Sequence, residues 1–159
     1  MQSNTSIETA RGISDVEVSN GHALVVASGL SEEDSSPRML DALRALKDAD
    51  CSIDFLKISS SGFSFIVPEA GAEAATAALR SAGFSAEALA GRAIITVRAP
   101  NIRDESGLVA RIAQLIVRSG ATIEQVGDMH SSVQVVVETP NAEKAAAALR
   151  DCIGLVEIL

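Results

Sequence analysis

The chain repeats itself at a spacing of 70 residues, and no other feature restricts its fold as strongly. Residues 72–80 read AEAATAALR and residues 142–150 read AEKAAAALR. The same offset places Gly21 on Gly91, Ala23 on Ala93, Asp34 on Asp104, Ser36 on Ser106, Ile53 on Ile123, Val67 on Val137, Glu87 on Glu157 and Leu89 on Leu159 without a gap. Alanine-rich helices match by accident, but the register also holds in segments of other periodicity. It therefore marks a duplicated structural unit. A length of 159 residues then divides into two small modules rather than one domain.

Within each repeat the hydrophobic period changes in one order. Residues 22–28 (HALVVAS) and 92–98 (RAIITVR) are short β-rich runs that read as buried strands. A polar loop follows, then an amphipathic helix. Its apolar stripe is Met39, Leu40, Leu43 and Leu46 in the first repeat, and Leu108, Ile112, Leu115 and Ile116 in the second. Strands are expected at 52–58 and 122–126, and again at 63–67 and 133–137, with Ser59-Ser60-Ser61-Gly62 as a turn. The alanine helices at 72–82 and 142–152 come next, and short strands at 84–89 and 155–159 close the units. The order β-α-β-β-α-β is the ferredoxin-like arrangement: an α+β fold with antiparallel sheets and both helices of a module on one face. The modules are expected at 11–89 and 90–159. The segments 13–18, 84–89 and 155–159 are related by the offset and compete for two sheet edges. Asn20-Gly21 and Ala90-Gly91 read as hairpin turns folding 13–18 onto 23–28 and 84–89 onto 92–97. The C-terminal strand must then dock elsewhere and interweave the modules.

Composition removes several functions. Asp and Glu outnumber Lys and Arg by 21 to 13, giving a net charge of −8, and the chain has no Trp, no Tyr and four Phe. Nucleic acid is excluded as a partner, because phosphate binding needs a basic footprint and single strands need stacking platforms. An anionic membrane surface is disfavoured for the same reason. No apolar run reaches the ~20 residues that span a bilayer, and the first residues carry no secretory pattern, so a cytoplasmic protein is expected. Cys51 and Cys152 form no C-x-x-C pair and read as reduced core residues. No metal or cofactor is expected. His22 and His130, the two histidines, lack a nucleophile or orienting partner nearby and read as surface residues.

The pattern and its residues resemble the paired ACT modules that form the regulatory part of aspartokinases, over nearly the whole chain. In that family a first strand runs into a D-x-P-G-type loop, an amphipathic helix, and a strand opening with a G-I-N-I/V-D/E-M-I segment. Here Asp34-Ser35-Ser36-Pro37 and Asp104-Glu105-Ser106-Gly107 hold the loop positions. Cys51-Ser52-Ile53-Asp54-Phe55-Leu56 and Ala121-Thr122-Ile123-Glu124-Gln125-Val126 hold those of the strand. Gly62-Phe63-Ser64-Phe65-Ile66-Val67-Pro68 is similar to the family's strand ending in F-T-V-P.

The resemblance implies an amino-acid effector, lysine or threonine, bound at module junctions. It implies a site built from Asp34, Ser36, Ser52, Ile53 and Asp54 in the first repeat, and from Asp104, Ser106, Gly107, Leu108, Thr122, Ile123 and Glu124 in the second. It also implies a homodimer and an aspartokinase catalytic domain or subunit as partner. Asp54 and Glu124 would take the effector's ammonium. Ser36 and Ser106, just before a helix, also fit helix capping. Pro37 offers no N–H where the second repeat has Gly107, so the second repeat is the better cradle. The usual Asn is replaced by Ser52 and Thr122. The glycine-rich loop, lysine and acidic metal ligands of phosphoryl transfer are missing, so the chain is read as regulatory and not as an enzyme. A dimerisation module that has lost sensing and a free-standing tandem ACT regulator are the alternatives. A small ferredoxin-like enzyme of the acylphosphatase sort would need an Arg and Asn constellation that the chain does not offer.

Overall fold

The computed structural model describes residues 12–102 and 107–155. Six strands and four α-helices follow in the order β1 (Asp15–Ser28), α1 (Ser35–Asp48), β2 (Asp54–Ile58), β3 (Gly62–Pro68), α2 (Ala72–Ser81), β4 (Ser85–Arg98), α3 (Leu108–Arg118), β5 (Gln125–Asp128), β6 (Ser132–Glu138) and α4 (Thr139–Arg150). The fold is α+β, with strand order β2-β3-β1-β4-β6-β5. The chain divides into two compact units. Among the described residues, one takes Ser19–Ala93, and the other combines residues 12–18 with those from Ile94 to Leu155.

The expected hairpins at Asn20-Gly21 and Ala90-Gly91 do not form. β1 and β4 are each one strand of 14 residues, and each runs out of one unit into the other. Gly21 and Gly91 lie inside these strands with φ of +78° and +72°. Positive φ here makes a kink that a glycine tolerates without ending the strand. The segment before Val18 joins the unit that contains the C-terminal half of β4. The Ser14 amide donates to the Arg98 carbonyl at 2.8 Å, and Arg98 forms ion pairs with Asp15 at 2.8 Å and Glu17 at 3.0 Å. The hydrogen bonds to Glu17 and then Asp15 push the guanidinium pKa up further. Residues 156–159, most of the expected closing strand, lie outside the described residues.

In the unit Ser19–Ala93, alternate residues of β1 (Ala23, Val25, Ala27) and β3 (Phe63, Phe65, Val67) share one face. They form one core with Met39, Ala42 and Leu46 of α1 and Ala75 and Leu79 of α2. The α1 stripe is thus Met39, Ala42 and Leu46, while Leu40 is 46% exposed and Leu43 is half-buried. Phe63 stacks on Phe65 and meets Phe84 edge-on, with centroids 6.1 and 5.5 Å apart. Arg38 lays its guanidinium over the Phe84 ring at 4.1 Å and donates to the Ala82 carbonyl at the end of α2. The other unit buries the repeat equivalents Ile95, Val97, Val133, Val135 and Val137 from strands, Ile112 and Ile116 from α3, and Ala145 and Leu149 from α4, and adds Leu108, Ala142 and Ala146 to them.

Candidate functional site

The two repeats open their first helix differently. α3 starts at Leu108, with Gly107 as its N-cap at φ +80°, ψ 1°. The first intrahelical bond is Arg111 N–H to the Gly107 carbonyl at 3.0 Å, so the amides of Leu108, Val109 and Ala110 have no partner within the helix. A Cβ on Gly107 would meet no atom within 4 Å. Glycine is set here by the left-handed backbone and not by crowding.

α1 begins at Ser35, three residues earlier in the repeat frame. Asp34 is its N-cap residue without a side-chain capping bond, and its carboxylate instead accepts from the Ser31 hydroxyl. Ser36 therefore lies inside the first turn and does not cap the helix. Pro37 is the third helical residue. Its missing N–H removes no bond, because the helix ladder starts at Arg38 N–H to Asp34 carbonyl, 3.0 Å. α1 consequently offers two free amides, Ser35 and Ser36, where α3 offers three. Asp104 and Ser106 lie outside the described residues.

The strand half of each candidate site is anchored alike. Asp54 opens β2 opposite Ile66, and the Glu124 amide donates at 2.9 Å to the carbonyl of Val136, the counterpart of Ile66. Ser52 and Ile53 precede β2, and Thr122, Ile123 and Glu124 precede β5, so both strands start later than their sequence suggests. Glu124 and Ile123 are half-buried, while Asp54, Ser52 and Thr122 are exposed. β2 also carries a register shift after Asp54, and Phe55 takes φ +57°.

The two halves do not meet inside one unit. The loop after β1 starts beside the β2–β3 turn, with the Gly29 and Leu30 amides on the Ser61 carbonyl at 3.1 Å. Asp54 pairs four residues further along β3, opposite Ile66 rather than Gly62. At about 3.3 Å per residue this separates the loop from Asp54 by roughly 13 Å. The second repeat has the same sense: Ala99 N–H binds the Ser131 carbonyl at the β5–β6 turn, and Glu124 stands at the other end of β5. Gly107 and Leu108 thus lie at one end of a unit, and Thr122, Ile123 and Glu124 at the other.

One shallow groove of about 290 Å³ reaches a predicted site residue, Ser36, which lines it with Ser35, Met39, Leu40, Leu43 and Ile58. Gln125, buried to 8% exposure beside Glu124, was missed by the sequence reading. Its only signal is a polar residue near the head of an expected strand. Burial and then Asp50 raise the Cys51 thiol pKa, which keeps it protonated and unreactive at neutral pH. Cys152 is a buried free thiol. His22 is half-buried and bonded to Ser19 at 2.8 Å, while His130 is exposed. Among the described residues, no group of three His, Cys, Asp or Glu could hold a metal ion. No helix among them is long and apolar enough to cross a membrane.

No family model matches the chain, and no curated protein matches it. Solved structures do. The regulatory subunit of aspartate kinase from Thermus thermophilus, in its ligand-free form, superposes with a TM-score of 0.80 at 19% identity, over 91% of this chain and 98% of that one. The regulatory subunit of aspartate kinase from Thermus flavus gives 0.79 at 18% identity, over 89% and 98%. Aspartokinase III of E. coli, in complex with lysine and aspartate, gives 0.71 at 13% identity, over 91% of this chain and 34% of that one. Identity this low speaks for architecture. The chain has the fold of the regulatory subunits of aspartate kinase.

Proposed function

We propose that the chain is a regulatory, amino-acid-sensing region of an aspartokinase and that it binds lysine or threonine. The observation that carries the reading is the opening of α3, where Gly107 leaves three amides at a helix start able to receive an α-carboxylate. Likeness to regulatory subunits of aspartate kinase, and to an E. coli aspartokinase solved with lysine, supports the ligand class. Within one unit the loop half and the strand half stand too far apart for one amino acid, so each effector bridges a half-site of one module and a half-site of another. The module set is completed in a homodimer, and the kinase catalytic domain or subunit is the element whose state is coupled to the ligand. Such coupling requires that the effector bind one arrangement better than the other.

Titration calorimetry of the full chain with lysine, threonine and the remaining proteinogenic amino acids tests this. Heat from lysine or threonine is expected, and silence across the panel overturns the sensing reading. Glu124→Ala and Gly107→Val are each expected to weaken binding by about one to two decades, equivalent to roughly 1.5–3 kcal/mol for a lost charge-assisted hydrogen bond. Asp54→Ala and Pro37→Ala should cost less, since Asp54 is exposed and α1 has one amide fewer. Equal losses in both repeats would remove the asymmetry. The early start of α1 at Ser35 favours a second reading, in which the first module keeps an assembly role without a ligand. Calorimetric stoichiometry of one effector per chain rather than two supports that division of labour.

A further inference from the structure

The face of β1, β2 and β3 that turns away from the helices carries a cation and hydroxyls that the other repeat does not reproduce. Ala23, Val25, Ala27, Phe63 and Phe65 belong to the core, so the residues alternating with them point to the opposite face. Pairing sets Lys57 of β2 beside Ser64 of β3, and Ser64 beside Val26 of β1. Two residues along, Ser28 pairs with Gly62, which adds no side chain. Val26, Ser28, Lys57 and Ser64 line a groove of about 300 Å³ with Ser59 and Ser61 of the β2–β3 turn. Val26 is 44% exposed and Ser64 is half-buried, while Ser28, Lys57, Ser59 and Ser61 are exposed. No described carboxylate lines this groove, in a chain with 21 Asp and Glu. Asp54 of the same strand pairs opposite Ile66, two residues further along β3. The offset of 70 places Gly127 at Lys57, Gln134 at Ser64, Thr96 at Val26 and Arg98 at Ser28. There Gly127 pairs with Gln134, the Gln134 amide donates to the Thr96 hydroxyl at 3.3 Å, and Arg98 is held by Asp15 and Glu17. The second repeat thus ties its own side chains together at this place, whereas the first turns a lysine and serines onto a groove.

We propose that this groove binds a small phosphate monoester, with the Lys57 ammonium and the hydroxyls of Ser28, Ser61 and Ser64 on the phosphate and Val26 under the organic part. A phosphate brings three strong acceptor oxygens and close to two negative charges at neutral pH. Lysine answers it as a compact point charge with three N–H donors, and each serine adds one O–H. The Ser59 hydroxyl is engaged within the turn, donating to the Gly62 carbonyl at 3.1 Å, so it borders the site without serving it. A carboxylate has two oxygens and one charge, and would use fewer of these donors. The volume lies at the lower end of ligand pockets, which suits a phosphate on a short organic group. A net charge of −8 repels anions at long range, so an anion is held only where a cation stands without a lining acid, and this groove meets that condition. It lies across the sheet from α1, away from the amides at the helix starts. The proposal does not depend on whether the chain senses an amino acid.

The test is a titration of the isotope-labelled full chain with inorganic phosphate, exchanged against sodium chloride at constant ionic strength and followed by amide chemical shifts. Saturable shifts are expected at residues 26–28, 57 and 61–64. Lys57→Gln is expected to weaken phosphate binding at least about tenfold through loss of the charge-assisted contact. Lys57 is exposed, so this variant is expected to melt as the wild type does. The double variant V26T/S64Q copies Thr96 and Gln134 into the first repeat and should weaken binding as much with Lys57 in place. If it does not melt cooperatively, S64Q alone replaces it. Acetate, lysine and threonine are titrated in parallel to separate a phosphate site from a carboxylate or amino-acid site. No saturable shift with phosphate, wild-type binding in either folded variant, or acetate or an amino acid moving the same amides at the same concentrations would overturn the proposal. The readout is phosphate at named amides, so a silent calorimetric panel with amino acids leaves this result standing.

Discussion

Residues 90–159 produced alone are expected to show no cooperative melting transition, and the same segment joined by a flexible linker to residues 12–18 is expected to regain one. The unit that holds α3 and α4 also includes residues 12–18. Within that segment Ile13 is 1% exposed and Val16 is 5% exposed. The amide and hydroxyl of Ser14 both donate to the Arg98 carbonyl, at 2.8 and 3.1 Å, and the Ile13 carbonyl accepts from Gly154 at 3.2 Å. Removing the segment uncovers an apolar face and leaves an edge of β4 unpaired. Burial of an Ile or Val side chain contributes about 1.5–3 kcal/mol. A unit of some 70 residues has only about 4–10 kcal/mol in total, so losing two such side chains and the strand pairing removes most of it. Circular dichroism against temperature reads the outcome, and a stable, cooperatively melting monomer from 90–159 contradicts the argument.

That experiment bears on the part of the fold that local sequence could not convey. The offset of 70 and the changes of period located all four helices and the strands flanking them, because burial of one face is written into side-chain spacing. Asn20-Gly21 and Ala90-Gly91 have the chemistry of a tight turn, yet Gly21 and Gly91 serve as kinks within 14-residue strands. Whether a glycine ends a strand or bends it is decided by what pairs on either side, and that information lies dozens of residues away. The start of α1 was misplaced for the opposite reason. Pro37 reads as a boundary, but the first helical turn needs no amide from it, and the helix extends back to Ser35.

The candidate site was legible as residue types but not as one place. Gly107 and Glu124, which we propose take the two ends of an amino acid, are both marked in the sequence, one as a glycine before a helix and the other as a carboxylate before a strand. Their separation follows from strand sense: in an antiparallel hairpin the start of the first strand lies far from the turn, and the loop before the helix packs at the turn. Contacts made across distant segments left no sequence signal. Arg38, which stacks on Phe84 and binds the Ala82 carbonyl, is the repeat counterpart of Leu108, a buried core residue. One position of the duplicated helix thus holds a cation–π clamp in one unit and a core leucine in the other.

Replacing Gly62 with alanine is expected to lower stability by about 3 kcal/mol or more, at the top of the range for overpacking, while Gly71→Ala changes it by less than about 1 kcal/mol. Gly62 begins β3 directly opposite Ser28. A Cβ there would overlap the Ala27 carbonyl oxygen and press on Ala27 C and Ser28 Cα at 3.2 Å. Those are backbone atoms of a paired strand and cannot rotate away as a side chain would. The turn that leads into Gly62 is fixed as well. Ser59 N–H donates to the Gly62 carbonyl at 2.8 Å, the Gly62 N–H donates to the Ser59 hydroxyl at 3.3 Å, and the Ser61 carbonyl accepts from both Gly29 and Leu30. Moving Gly62 aside therefore breaks the ladder between β1 and β3, and it displaces Phe63, which packs on both Phe65 and Phe84. Gly71 is the control, because it has negative φ and a Cβ there would meet nothing within 4 Å. For a chain of this length, 3 kcal/mol corresponds to a fall in melting temperature of roughly 6–12 °C. Urea unfolding at equilibrium reads the same loss as a lower midpoint at constant slope. A Gly62→Ala variant as stable as Gly71→Ala would mean that β1 and β3 separate at this end without cost, contrary to the close approach their pairing imposes.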